Sequence, residues 1–168
     1  MATDLHTLTV PVFVRALTNL DAILDKGRAF AADQGIDESE LLEARLIGDM
    51  GNLVSQIQRA SDSAKGVMVR VGGVENVVME DNETSFDDIK ARIARTIDFL
   101  RSVPADAING KEGADVVVKF PNREFTFDGL SYVLGFATPN FYFHVTTAYD
   151  ILRMKGVPVG KMDFLGGL

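Results

Sequence analysis

LHTLTVPVFVRALTNLDAILDKGRAFAA, residues 5–32, places Leu5, Leu8, Val12, Ala16, Leu20, Ile23, Leu24 and Phe30 at three- and four-residue intervals. That spacing puts them on one face of an amphipathic helix. Pro11 lies inside the stretch, so either a kink or a helix proper beginning near it is expected. Gln34-Gly35-Ile36-Asp37 follows as a stop and restart, a glycine ending one helix and an aspartate capping the next. The periodicity then predicts a second helix from about Glu38 to Lys65, with Leu42, Leu46, Leu53, Ile57, Ala60 and Ala64 along one stripe.

The valine- and glycine-rich segment from Val67 to Val78 could form a strand but reads more simply as a linker. Ser85 caps a third helix, with Asp87 and Asp88 in the first turn where the macrodipole favours them. Phe86, Ile89, Ile93, Ile97 and Leu100 form its apolar face, and Pro104 follows its end. Between Asp115 and Phe127 the period shortens to that of strands. Val116 to Phe120 and Glu124 to Phe127 flank Pro121-Asn122-Arg123 as a β-hairpin, which needs cover because an isolated hairpin is marginal in water. A short helix over Gly129 to Phe136 and a last long helix from Pro139 or Asn140 to about Lys155 complete the pattern. The tail after Pro158 reads as an ordered loop folding back. The expected architecture is a mainly α, antiparallel four-helix bundle with a small hairpin before its last helix, in one domain spanning residues 1–168.

Bulk composition narrows the function. The 168 residues carry 17 Lys+Arg against 24 Asp+Glu, a formal charge of −7. Without a basic stripe, such a chain is repelled by phosphate backbones and anionic lipid, so neither nucleic acid nor a membrane surface is an expected partner. There is no cysteine, which excludes disulfides, thiolate zinc sites and thiol nucleophiles. The N-terminus shows no secretory pattern, and no run approaches the ~20 apolar residues of a membrane span, so a cytoplasmic location is expected. Nucleotide-binding glycine loops, His-Glu-x-x-His and Gly-x-Ser-x-Gly are all missing.

Polar residues on apolar faces are the informative exceptions, because burial penalises them unless they are paired. On helical phase, Asp49 and Gln56 fall on the core stripe of the second helix, and His144 falls on an internal face of the last, one turn after Asn140. Asp49 facing His144 admits two readings. One is a metal site or general base assisted by Asn140 or Gln56; the other is a buried hydrogen-bonded pair that orients the helices. His6, at the start of the first helix, reads as exposed. Phe136, Phe141, Tyr142, Phe143 and Tyr149 gather around the last helix. Gln56, Phe141 and Tyr149 are candidate walls of a ligand pocket, though the same aromatics suit a core.

The segments from Asp49 through Gln56 to Lys65, from Pro139 to Arg153, and from Gly160 to Gly166 resemble a family of unknown function. That family is related to the DinB/YfiT-like four-helix bundles. The most specific part is Asn140-Phe141-Tyr142-Phe143-His144. The resemblance implies a bundle and a homodimer. The DinB-like metal site is similar to three histidines, one from the second helix and two, four residues apart, from the last. Carried onto this chain, it implies a divalent ion (Ni, Zn or Mn) at Asp49, Asn140 and His144, with histidine at only one of the three positions. A degenerate site that binds a small ligand, or that only holds the helices together, is the other expectation.

Overall fold

The computed structural model describes residues 4–167. The chain forms α1 (Leu5–Gln34), α2 (Ser39–Leu42), α3 (Leu53–Arg70), α4 (Phe86–Ser102) and α5 (Ala105–Ile108). There follow β1 (Asp115–Phe120), β2 (Arg123–Asp128), α6 (Gly129–Tyr132), a π-helical turn (Val133–Ala137), α7 (Thr138–Met154) and α8 (Lys161–Leu165). The mainly helical fold with a hairpin ahead of the last long helix is the one the apolar periodicities predict.

Helix α1 runs through Pro11 without a break, capped by the Asp4 side chain accepting from Thr7 N–H and closed by Gly35 in the left-handed region at φ 66°. The proline is exposed, so its ring points into solvent, away from the core. By length and composition alone α1 is apolar enough to cross a membrane, a property that the core helix of a bundle shares. Its Leu17, Leu20, Ile23 and Leu24 are buried in the bundle core.

The predicted second helix is not continuous. Helix α2 ends at Leu42, residues 43–52 form turns, and α3 begins only at Leu53 under an Asn52 cap. Gly48, Gly51 and Asn52 supply the physical reason. Two glycines raise the cost of helix, and the Asn52 side chain accepts from Ser55 N–H to start a new one.

Four long helices close the core, and side-chain contacts give their directions. Arg28 near the end of α1 pairs with Asp87 at the start of α4, and His6 at the start of α1 donates its N–H to Asn109 beyond the end of α4, so these two run antiparallel. Gln56 meets His144 while Arg70 meets Tyr132, so α3 and α7 are antiparallel as well. Ser61 lies on Thr96, and Gly72 approaches Ala107, so α3 and α4 run the same way.

That parallel pair needs a return segment. An 18-residue helix is about 27 Å long. The strap of residues 71–85 can span more than that when extended. It has no secondary structure over most of its length, so its carbonyls look to side chains. Lys65 Nζ donates to Val77 O at 3.0 Å, Arg95 to Val78 O at 3.4 Å and Arg92 Nη1 to Glu80 O at 3.3 Å.

The hairpin pairs Val116 with Phe127 and Val118 with Phe125 around a Pro121-Asn122 turn. Val116 and Val118 are buried, whereas Val117, Phe120 and Phe125 remain exposed. From Gly129 onward the backbone is continuously helical into α7. Pro139 has no N–H to return along the ladder, and just before it the helix widens, with Thr138 N–H reaching Val133 O.

Candidate functional site

Helix α3 faces α7 and, through the continuous helical stretch before it, α6 along three polar pairs, one per one to two turns. His144 Nδ1 lies 2.8 Å from Gln56 Oε1, Asn140 Nδ2 donates to Ser63 Oγ at 2.7 Å, and Arg70 Nη1 donates to Tyr132 Oη at 3.0 Å. The first pair is internal, with Gln56 and His144 only 1% and 7% exposed. Gln56 Nε2 donates to Gly51 O at 2.9 Å, which turns Oε1 toward the imidazole. That chain assigns the proton to Nδ1 and leaves Nε2 as an acceptor with no partner among the described residues. Burial, and then the nearby charge of Arg59, push the His144 pKa down to about 4, so the ring is neutral at physiological pH. The Tyr132 hydroxyl is pushed up by burial and pulled back in part by Arg70.

These pairs open on a cleft of about 300 Å³ between α3, the π-helical turn, α7 and β1. Arg59, Ser63 and Arg70 line the α3 side, Asn140 and His144 the α7 side, and Phe120, Tyr132 and Phe136 form an aromatic wall. Tyr132 and Phe136 stack at 5.9 Å with planes 22° apart, and Phe120 meets Phe136 edge-on at 6.3 Å.

The structure separates the sequence candidates. His144, Asn140 and Gln56 converge. Asp49 does not join them: it is exposed in the 43–52 turns, because the helix expected to carry it inward is interrupted there. The buried partner of His144 is therefore Gln56. Phe141 and Tyr149 do not line the cleft. Phe141 is buried against Phe13 of α1 at 4.6 Å, and Tyr149 lies edge-on to Phe164 of α8 at 5.8 Å. His6 is half-buried rather than exposed. Of the aromatics gathered around the last helix, Phe136 does line the cleft. Arg59, Ser63, Arg70 and Tyr132 are not among the sequence candidates. The first three share a face of α3 with Gly66, at intervals of four, three and four, but polar residues at helical spacing ordinarily mark a solvated face.

The donor chemistry does not suit a transition-metal ion. Zinc and nickel sites gather three or more imidazole, thiolate or carboxylate ligands. Among the described residues no three His, Cys, Asp or Glu side chains come together to hold a metal. At the cleft one imidazole nitrogen, an amide and a hydroxyl stand beside guanidinium groups. The single carboxylate there, Asp62, is bound to Lys65 at 3.2 Å and Arg92 at 3.1 Å.

A second polar cluster lies behind the cleft. Arg92, 3% exposed, binds Asp81 and Glu83 at 2.8 Å each through Nη1 and Asp62 through Nη2. Burial pushes the Glu83 carboxyl up, but hydrogen bonds from Gln58 and Arg92 outweigh it and hold the group below its ordinary range. This cluster ties the strap to α3 and α4.

Comparison with known proteins places the molecule. No curated protein matches the chain. A crystal structure of a DinB family member protein from Shewanella denitrificans is 37% identical, with a TM-score of 0.89 over 98% of this chain and 93% of that one. The model of a domain of unknown function, DUF1993, matches residues 5–165. Matched over nearly all of its length, the chain belongs to the DUF1993 family, built on a DinB-like bundle.

Proposed function

We propose that this chain is a small-molecule-binding bundle whose ligand enters the cleft between α3, α7 and the hairpin, without a catalytic metal. The observation that carries this reading is His144. A nearly buried neutral imidazole, fixed by Gln56 through Nδ1, contributes to the wall of an open cleft and keeps Nε2 available as an acceptor. Ligand sites characteristically set a few fixed polar groups in an otherwise apolar concavity. Here Asn140 and Ser63 stand beside His144, facing the Tyr132 and Phe136 rings.

The competing reading is a metal-dependent DinB-like enzyme using Asp49 and His144. One experiment separates the two. The purified protein is analysed for nickel, zinc and manganese, and ¹⁵N-labelled protein is titrated with a library of small aromatic fragments. The expected result is substoichiometric metal, with amide shifts clustered at Arg59, Ser63, Asn140 and His144. Stoichiometric metal that disappears in His144→Ala and Asp49→Ala would overturn the metal-free reading and put a metal site, the premise of the enzyme reading, in its place.

A further inference from the structure

We infer that the cleft selects a flat, apolar-bodied molecule carrying a compact oxyanion, a carboxylate or a phosphate, held by one of the two arginines at its ends, Arg59 or Arg70. This rests on the cleft being a ligand site, and it adds the ligand's charge and shape.

The charge argument starts from α3. Residues 59, 63, 66 and 70 lie on one face, so the two arginines flank Ser63 and Gly66 at opposite ends of the cleft, about 16 Å apart along the helix axis, and both are exposed at its rim. Neither guanidinium forms an ion pair with any described residue, and the Arg59 side chain makes no hydrogen bond to one either; the single bond of Arg70 goes to Tyr132. Asp62 is neutralised from behind by Lys65 and Arg92, and Lys119 of the cleft is matched by Glu124 at 3.5 Å. The uncompensated charge facing the cavity is therefore positive, in a molecule whose formal charge is −7. Guanidinium groups pair with carboxylate and phosphate through two parallel N–H bonds, so either arginine at the rim of the cleft favours an oxyanion over a neutral group.

Gly66 supports the same reading. A methyl group at residue 66 would collide with Nη1 of Arg70, so the missing side chain lets that guanidinium fold back along α3 onto Tyr132. The shape argument comes from the facing wall. Phe120, Phe136 and Tyr132 form a continuous run of rings, two of them stacked, suited to a planar apolar body.

The test is a set of matched ¹⁵N titrations with benzoate, phenyl phosphate and benzamide as a neutral isostere of benzoate. We expect the two anions to shift amides around Arg59, Ser63 and Arg70 and to bind about tenfold tighter than benzamide, with their ratio distinguishing carboxylate from phosphate as the preferred group. The Arg59→Gln/Arg70→Gln variant should lose that preference and keep its affinity for benzamide. The single variants stand in should the double substitution unfold: Arg59→Gln breaks no side-chain hydrogen bond among the described residues, Arg70→Gln breaks the one to Tyr132, and the arginine that holds the oxyanion is the one whose loss removes the preference. Equal affinity for benzoate and benzamide, or a preference that survives the arginine substitutions, would overturn the oxyanion inference and leave the cleft reading standing. No shift at the cleft with any of the three probes would overturn both.

Discussion

At the scale of single residues, the pair formed by Gln56 and His144 has a measurable consequence in pH. The imidazole is neutral in the folded protein because burial, and then Arg59, depress its pKa to about 4, against an ordinary 6.5 in the unfolded chain. Between those values the unfolded state binds a proton that the native state refuses. Stability contributed by neutral His144 is complete above pH 6.5 and is lost as the pH falls through the window toward 4. The loss by pH 5 is about 2 kcal/mol. Urea midpoints at pH 7, 6 and 5 should show this decline in the wild type and a much flatter profile in His144→Gln. Several folded-state carboxyl groups, Asp4, Asp37, Asp88 and Glu83 among them, are held below their ordinary range, so their own losses fall at lower pH. An imidazole titrating near 6.5 by NMR, or a stability indifferent to pH across the window, would remove the buried neutral ring. His144 and Gln56 were legible in the sequence because both sit on apolar stripes. Asp49 misled because the stripe of Leu42, Leu46 and Leu53 continues in phase across a segment that is not helical, and Leu46 there is 37% exposed.

At the scale of elements, caps and turns were the readable features. Ser85 forms a capping box with Asp88 at the start of α4, and the hairpin turns where Pro121 and Asn122 predict it. The break before α3 was written in Gly48, Gly51 and Asn52, signals that the stronger leucine periodicity masked. The strap of residues 71–85 was not readable, because what holds it is a cation on another element. Arginine and lysine on a helix ordinarily mark its wet face, yet Arg92 and Lys65 are buried and turned onto the strap. Arg92→Ala would strip the 7%-exposed Glu83 side chain of its cation and free the Glu80 carbonyl at one stroke. Breaking a buried pair from one side costs about 3–5 kcal/mol, and Asp62 and Asp81 lie far enough into solvent to place this case at the lower end. Hydrogen exchange over residues 76–84 should accelerate in the variant while the middle of α1 stays protected. A loss under about 1 kcal/mol in a urea melt would mean that the strap is held by something other than Arg92.

At the scale of the whole molecule, closure depends on how tightly α1 meets the two helices that flank it. Near its C-terminal end, α1 passes the start of α4 and the last turns of α7, and the residue at that crossing is Gly27. A Cβ added there would stand 3.2 Å from Leu152 Cδ2 of α7 and 3.4 Å from Phe86 Cζ of α4. Glycine inside a helix costs roughly 1 kcal/mol relative to alanine, a penalty that the close approach of three helices offsets. The two effects oppose each other in Gly27→Ala, and its stability should stay within about 1 kcal/mol of wild type. Gly27→Leu has no such balance. Its side chain must displace Phe86 or Leu152, both fully buried, and overpacking of this kind costs about 1–3 kcal/mol. Because Gly27 lies on the α1 face of the bundle and the cleft lies between α3 and α7, the wedge should lower the melting temperature without abolishing fragment binding at Arg59 and His144. A leucine variant as stable as the parent would show that α1, α4 and α7 do not close against one another at this level. Loss of fragment binding in a variant that remains folded would show instead that the spacing of α1 is transmitted across the core to the cleft.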